Sequence, residues 1–162
     1  MILIVAGVSG TGKSTIGKML AETLDLPFYD ADDFHPEANV QKMQSGQPLN
    51  DQDRQPWLEI LANELSTWEK QGGAVLACSA LKAAYRETLA TQCHNKVEWI
   101  ILHGSKALLS ERLAARKGHF FEPKLLDSQL STLELPIDAH VVDVQSPPNV
   151  IVESIITRLE IA

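Results

Sequence analysis

Apolar and polar residues alternate along this chain in blocks that predict strands separated by helices. Short, continuous apolar runs are typical of strands that are covered on both faces. The stretch at about 54–70 instead repeats its apolar residues at helical spacing, beginning with Trp57 and Leu61. The predicted strands lie at 2–6, 28–30, 74–78, 97–102 and 140–144, and the predicted helices lie at about 13–24, 36–45, 54–70, 81–91, 105–116 and 149–160.

This alternation predicts an α/β fold with three layers, α/β/α, around a five-stranded parallel sheet. A length of 162 residues suits a single domain spanning 1–162. No apolar run is long enough to cross a bilayer, and with a first strand at 2–6 we expect no signal peptide. Cys78 and Cys93 lack metal-ligand spacing, so we expect free thiols and a cytoplasmic protein.

The chain is acidic, which bears on its partners. Lys and Arg number 14 against 21 Asp and Glu, for a formal net charge of −7. Such a chain is a poor general binder of nucleic acid, and we expect no nucleic-acid or membrane partner. An anionic substrate would then require locally gathered cations, and the candidates are Lys13, Arg54, Lys82, Arg86, Arg112 and Arg116.

Residues 7–14 read Gly-Val-Ser-Gly-Thr-Gly-Lys-Ser and lie between the first strand and the first helix. This is the P-loop pattern, in which glycines let backbone N–H groups point at phosphate oxygens. Lys13 would reach the β- and γ-phosphates, and the Ser14 hydroxyl would bind Mg²⁺. An ordinary glycine-rich turn would not require all of these features together. The predicted nucleotide-binding residues here are Gly7, Ser9, Gly10, Thr11, Gly12, Lys13, Ser14 and Thr15.

Three acidic residues follow the second strand, at the sheet edge where α/β proteins bind ligands. In extended chain Asp30 and Asp32 would point to one side and Asp33 to the other. We assign Asp30 to Mg²⁺, through water, and Asp32 to accepting a hydroxyl proton during phosphoryl transfer. Turn or capping roles are the alternative for Asp30 and Asp32, and the interpretation we prefer for Asp33.

Two further groups of cations follow later strands. Lys82 and Arg86 are four residues apart on a predicted helix, where they could bind a carboxylate or phosphate, as could Arg54. The alternative for Lys82 and Arg86 is a solvated helix face. The alternative for Arg54 is a salt bridge to nearby aspartates. Arg112 and Arg116 lead into a basic and aromatic stretch at 117–121, which predicts a lid at roughly 113–127.

The lid would bring its arginines over the phosphates, where negative charge spreads during transfer. We therefore group Arg116 with Lys13 and Asp32 as catalytic residues. Arg112 would contact the nucleotide, and Pro148 would lie beside the adenine ring. An ordinary basic helix end is the alternative for the two arginines.

Taken together, these motifs resemble the small P-loop gluconokinases of the thermoresistant type. The resemblance covers nearly the whole chain in order, and Ala31 departs from it where glycine is often expected. It implies a fold like nucleoside monophosphate kinases and shikimate kinase with a helical lid, transfer of phosphate from ATP with Mg²⁺ to D-gluconate, and a homodimer. The matching segments are 7–14, 30–36, 39–43, 46–57, 78–86, 112–121 and 128–134.

The resemblance also implies a substrate-binding segment at roughly 32–57. Gluconate has a carboxylate that suits a cation and a terminal hydroxyl that suits a base, while buried middle hydroxyls need polar partners. The implied substrate-binding residues are Asp32, His35, Arg54, Lys82, Arg86, His119 and Gln129.

Two other functions are alternatives for this sequence. A P-loop kinase for another small acceptor, such as shikimate or a nucleoside monophosphate, would use the same phosphate chemistry. A nucleotide-dependent switch or motor would usually carry an acidic residue at the end of a strand beside the P-loop strand. The third strand instead ends at Cys78 and Ser79, which favours phosphoryl transfer to a small molecule.

Overall fold

A computed structural model describes residues 1–115, 123–136 and 139–161 of the chain. Its strands are β1 (Ile2–Ala6), β2 (Phe28–Asp30), β3 (Ala74–Ala77), β4 (Val97–His103) and β5 (His140–Asp143). A 3₁₀ turn at Ala31–Phe34 follows β2. The helices are α1 (Lys13–Leu24), α2 (Glu37–Gln44), α3 (Asp51–Lys70), α4 (Ala83–Ala90), α5 (Lys106–Ala114), α6 (Pro123–Thr132) and α7 (Pro148–Ile161).

The strands form a parallel sheet in the order β2-β3-β1-β4-β5, which confirms the predicted α/β architecture. Ile4 of β1 lies opposite Leu76 of β3 and Trp99 of β4. Strand β1 is therefore central, and the loop that follows it emerges at the middle of the carboxyl edge. Ligands bind at this edge in open α/β sheets, where neighbouring connections diverge.

The core lies on both faces of the central strands. All five residues of β1 are buried, as the doubly covered strand pattern predicts. The apolar stripe of α3 is buried as well, and Trp68 from that stripe stacks on Tyr29 of β2 at 3.9 Å between ring centroids. This packing holds α3 against β2 and so positions the segment between them.

Helix α3 begins earlier than predicted, at Asp51 instead of residue 54. Asn50 and Asp53 form a capping box, each side chain accepting from the other's backbone N–H. Pro56 therefore lies in the second turn of the helix and not in the first. In the first turn a backbone N–H has no intrahelical acceptor, so proline would cost no hydrogen bond there. Arg54 in the first turn of α3 and Trp57 in the second line the site described below.

Helix α6 was not among the predicted helices. Pro123 occupies its first position, which proline favours, and Leu126 is buried, with Leu130 partly buried four residues later. The predicted lid at 113–127 spans the end of α5 and the start of α6, and its residues 116–122 lie outside the described part of the chain. The lid therefore stays a prediction.

Both cysteines are free thiols, as predicted. Cys78 is buried, and this burial raises the pKa of its thiol to about 12. Of the helices in the described ranges, none combines the length and hydrophobicity that a membrane span requires.

Candidate active site

The loop between β1 and α1 has the backbone shape that the glycine pattern predicts. Gly7, Gly10 and Gly12 all have positive φ angles, at 142°, 87° and 88°. A Cβ atom at Gly7 would lie only 2.5 Å from the carbonyl oxygen of Leu102, so no other residue fits there. The loop ends at the N-terminus of α1, where backbone N–H groups and the helix dipole favour an anion.

A cavity of about 380 Å³ opens above this loop. We call it the phosphate cavity. Five of the eight P-loop residues that we predict to bind nucleotide line it. Thr11 is instead buried and donates its hydroxyl to the Val8 carbonyl at 2.8 Å, while Thr15 is exposed on the first turn of α1. The residues that line the cavity are Ser9, Gly10, Gly12, Lys13, Ser14, Asp30, Asp32, Ala77, Cys78 and Ser79.

Ser14 and Asp30, the predicted metal-binding residues, lie together in this cavity. The Ser14 hydroxyl donates to Asp30 Oδ2 at 3.0 Å. A hydroxyl and a carboxylate are oxygen donors of the kind Mg²⁺ prefers, and Mg²⁺ keeps several waters when few protein ligands are present. Among the residues that the structure describes, no group of three or more His, Cys, Asp and Glu could hold a metal ion. With few protein ligands available, Ser14 and Asp30 would suit a Mg²⁺ that keeps most of its waters.

Asp30 and Asp32 do line one cavity, although not because the chain is extended. The 3₁₀ turn follows β2 directly, and Asp30 caps it by accepting the Asp32 N–H at 3.0 Å. The predicted role of Asp33 as a local cap before Pro36 is wrong, because Asp30 caps the 3₁₀ turn and α2 has Pro36 as its N-cap, without a side-chain cap. Asp33 lines a different cavity, beside Lys18 and Phe28.

The Asp32 carboxylate has an unusual electrostatic environment. Its side chain is 76% exposed and lines the phosphate cavity, where protein surrounds it on several sides. Desolvation and then the Asp30 charge raise the pKa of Asp32, and Lys13 partly opposes them. A carboxylate with a raised pKa is a stronger base, as proton abstraction from a hydroxyl requires.

A second cavity of about 380 Å³ adjoins the first, and we call it the acceptor cavity. Much of its wall comes from the predicted substrate-binding segment 32–57. Four residues line both cavities: Ser9, Lys13, Asp32 and Ser79. The other residues that line the acceptor cavity are His35, Met43, Gln44, Gln47, Pro48, Leu49, Arg54, Trp57, Leu81, Ser128 and Gln129.

His35 is held rigidly in the wall of the acceptor cavity. Its imidazole is 3% exposed and stacks on the Trp57 indole at 4.2 Å between ring centroids. Burial, followed by the nearby charge of Arg54, lowers the pKa of His35 to about 4. The ring is therefore neutral at pH 7.

Arg54 lines the acceptor cavity, whereas Lys82 does not. Arg54 donates to the Tyr85 hydroxyl at 3.0 Å, and its guanidinium lies over the Tyr85 ring. That hydroxyl donates to Asp51, which also pairs with Lys82 Nζ at 3.0 Å. Lys82 is thus committed to Asp51, and its predicted contact with substrate stays a prediction that requires this pair to open.

The position of Arg86 corrects its predicted role. Its side chain is 7% exposed and donates to the carbonyls of Ala80 at 2.8 Å and Glu134 at 2.7 Å. Burial lowers the pKa of Arg86 accordingly. Helix α4 begins only at Ala83, so Lys82 is its N-cap and the two cations do not share a helix face. Arg86 ties the loop after β3 to the segment after α6 and does not line the acceptor cavity.

We expect Arg86→Ala to lower the free energy of unfolding by about 1–3 kcal/mol, because the buried carbonyl of Ala80 and the partly buried carbonyl of Glu134 lose their donor. The KM for the acceptor should change by no more than a few-fold. Urea unfolding and steady-state kinetics measure the two effects, with Arg158→Ala, an exposed arginine on α7, as the matched control. A large rise in KM at unchanged stability would restore the predicted role in substrate binding.

Gln129 brings α6 into the site. Its Oε1 accepts the backbone N–H of Ser9 at 2.7 Å, so α6 contacts the P-loop directly.

Sequence reasoning missed Ser79, which lines both cavities, although it follows β3 at the carboxyl edge. It also missed Asn39, which contacts His35 from four residues further along.

The remaining predicted residues lie further away or outside the described chain. Arg112 donates to the Val144 carbonyl at 2.5 Å, at the carboxyl end of β5, and Pro148 begins α7 nearby in sequence. Their contacts with a nucleotide stay predictions. Arg116 and His119 lie outside the described residues.

Comparison with known proteins finds kinases that share the fold of this chain. The family model for shikimate kinase matches residues 9–160. A probable gluconokinase of Dictyostelium discoideum is 44% identical over 99% of this chain and 86% of that protein. One of Xenopus tropicalis is 47% identical over 96% of this chain and 91% of that protein. The crystal structure of a gluconokinase from Sinorhizobium meliloti 1021 has a TM-score of 0.88 at 40% identity, covering 97% of this chain and 91% of that one. The chain therefore belongs to the gluconokinase family, within the P-loop kinases that resemble shikimate kinase.

Proposed function

We propose that this chain transfers the γ-phosphoryl group of ATP to the 6-hydroxyl of D-gluconate, giving 6-phospho-D-gluconate and ADP. The observation that carries this proposal is the pair of adjoining cavities that share Lys13 and Asp32. A phosphate-binding cation and a base at one boundary are what direct transfer between two bound substrates requires. The names of the relatives support gluconate as the acceptor.

The acceptor cavity offers complementary groups for a sugar acid. Asp32 faces the phosphate cavity and suits the terminal hydroxyl. Arg54 supplies a cation for the carboxylate at the other end of the molecule. His35 and Gln129 lie in the same wall and suit the middle hydroxyls. Shikimate also has a carboxylate, and a nucleoside monophosphate also has an anionic group, so the acceptor itself must be tested.

In the proposed reaction Asp32 accepts the proton of the 6-hydroxyl as its oxygen forms a bond to the γ-phosphorus. The bond from that phosphorus to the bridging oxygen of ADP breaks, and ADP leaves with the electron pair. Lys13 and the backbone N–H groups of the P-loop balance the charge on the phosphate oxygens. Ser14 and Asp30 would hold Mg²⁺, which neutralises phosphate charge when bound.

We further propose a cytoplasmic homodimer that acts on small molecules and has no nucleic-acid or membrane partner. The net charge of −7 supports the absence of nucleic-acid binding. Arg116 and His119 would complete the site from the lid, as the resemblance implies.

The proposed activity is tested with purified protein and Mg·ATP against D-gluconate, other sugar acids, neutral sugars, shikimate and nucleoside monophosphates. ADP release gives kcat/KM for each acceptor, and NMR of the product locates the phosphate. We expect the highest kcat/KM with D-gluconate and phosphate on its sixth carbon. A higher kcat/KM with shikimate or a nucleotide would contradict the proposal.

We expect Arg54→Ala to raise the KM for gluconate by roughly 10- to 100-fold, because a charge-assisted hydrogen bond to the carboxylate is lost. The KM for ATP should stay within about twofold of the original value. Arg158→Ala, an exposed arginine on α7, is the matched control. An effect confined to the KM for ATP would move Arg54 to the nucleotide side.

A further inference from the structure

We propose that Asn39 is a positioning residue that holds His35 as the neutral tautomer with its proton on Nε2. That N–H then donates to the oxygen of the acceptor hydroxyl, beside the Asp32 carboxylate that takes the hydroxyl proton. The inference rests on the proposed transfer to a hydroxyl and adds a second group that orients it.

The orientation of the Asn39 amide is determined by its surroundings. The side chain is buried, at 5% exposure, and its Nδ2 lies 2.8 Å from the backbone carbonyl of Asp53. A carbonyl oxygen only accepts, so the NH₂ group and not the amide oxygen must face it. Asp53 is itself fixed, because its carboxylate caps α3 and pairs with Lys42 of α2 at 2.6 Å.

The same Asn39 nitrogen lies 3.2 Å from His35 Nδ1. An amide nitrogen has no lone pair to offer, so Nδ1 must accept and cannot carry a proton. The two hydrogens of the NH₂ group thereby serve Asp53 and His35, one each. In a neutral imidazole the proton then resides on Nε2. The pKa of His35, lowered to about 4 by burial and Arg54, is consistent with a neutral ring.

The Nε2 atom lies 3.7 Å from Asp32 Oδ1, and both residues line the acceptor cavity. This distance exceeds a direct hydrogen bond, so neither group satisfies the other. A substrate hydroxyl placed between them would accept from Nε2–H and donate to the carboxylate. With the proton on Nδ1, this hydroxyl would face two acceptors, the bare Nε2 and the Asp32 carboxylate. The hydroxyl oxygen would then receive no hydrogen bond from His35. Stacking on Trp57 keeps the ring from turning away.

The tautomer is measured directly on the unmodified protein by long-range ¹H–¹⁵N NMR of the histidine side chains. The signals of His35 are assigned by their loss in His35→Gln. We expect a protonated Nε2 and an unprotonated Nδ1, and the reverse pattern would overturn the proposal. This readout needs no Asn39 variant, so a failure of such a variant to fold would not affect it.

Kinetics then separate positioning from a merely structural role. Asn39→Asp offers Nδ1 only an acceptor, so we expect the NMR pattern to reverse and kcat with gluconate to fall roughly 10-fold, at unchanged KM for ATP. Asn63→Asp, on the exposed part of α3, is the matched control. In His35→Gln the Gln side chain has its own NH₂ donor, which does not depend on a tautomer set by Asn39. We therefore expect the double variant His35→Gln, Asn39→Asp to have the same kcat as His35→Gln alone. Effects that multiply in the double variant would overturn the proposal.

The two proposals fail differently. Activity with gluconate together with a proton on His35 Nδ1 would overturn only the role of Asn39. A proton on Nε2 in a protein that phosphorylates a different alcohol would contradict only gluconate as the acceptor.

Discussion

Replacing Asp32 with Asn is expected to lower turnover by roughly 100-fold or more and to leave ATP affinity nearly unchanged. The amide has the shape of the carboxylate but cannot take up a proton. The bond from the Asp32 N–H to Asp30 uses the backbone and survives the substitution, so the turn should keep its geometry. Steady-state kinetics give kcat, and calorimetry with a non-hydrolysable ATP analogue gives the affinity.

Asp33→Asn is the matched control for Asp32, because the neighbouring carboxylate faces another cavity. Its turnover should stay close to that of the unmodified enzyme. The pH profile adds a second check, since a base must be deprotonated to act. Activity should fall as the pH drops through the raised pKa of Asp32, and this acidic limb should disappear in Asp32→Asn. Unchanged turnover in Asp32→Asn would remove Asp32 from the catalytic role.

Replacing Lys13 with Met is expected to weaken ATP binding and to lower turnover by roughly 100- to 1,000-fold. Met keeps much of the length of the lysine stem but carries no charge. Lys13 lines both cavities, and its Nζ already lies 3.1 Å from the Val8 carbonyl within the loop. In the proposed reaction Lys13 would balance the charge that develops on the transferring group.

Titration with a fluorescent ATP analogue and steady-state kinetics measure the two effects of Lys13→Met. Lys18→Met, on the exposed face of α1, removes one positive charge from the same helix and should change neither quantity by more than about twofold. Full activity in Lys13→Met would show that the loop does not bind the phosphates as proposed.

Local sequence determined the succession of strands and helices along the chain apart from α6, the P-loop, and about half of the residues that line the two cavities. These features depend on hydrophobic periodicity and on glycine conformations, which act over a few residues. Gly7, Lys13 and Ser14 could be assigned for this reason. Asp30 and Asp32 were assigned correctly to one cavity, but the reason lies in a 3₁₀ turn that the alternation rule does not anticipate.

Only the tertiary structure decided how the charged side chains are used. Arg86 and Lys82 look alike in sequence, yet one is buried against the carbonyls of Ala80 and Glu134 and the other pairs with Asp51. These partners lie tens of residues away or in loops, and a charged group takes whichever partner the packing brings within a few ångströms. The bond from Asn39 to the Asp53 carbonyl likewise joins α2 to the first turn of α3, whereas the contact of Asn39 with His35 spans only four residues.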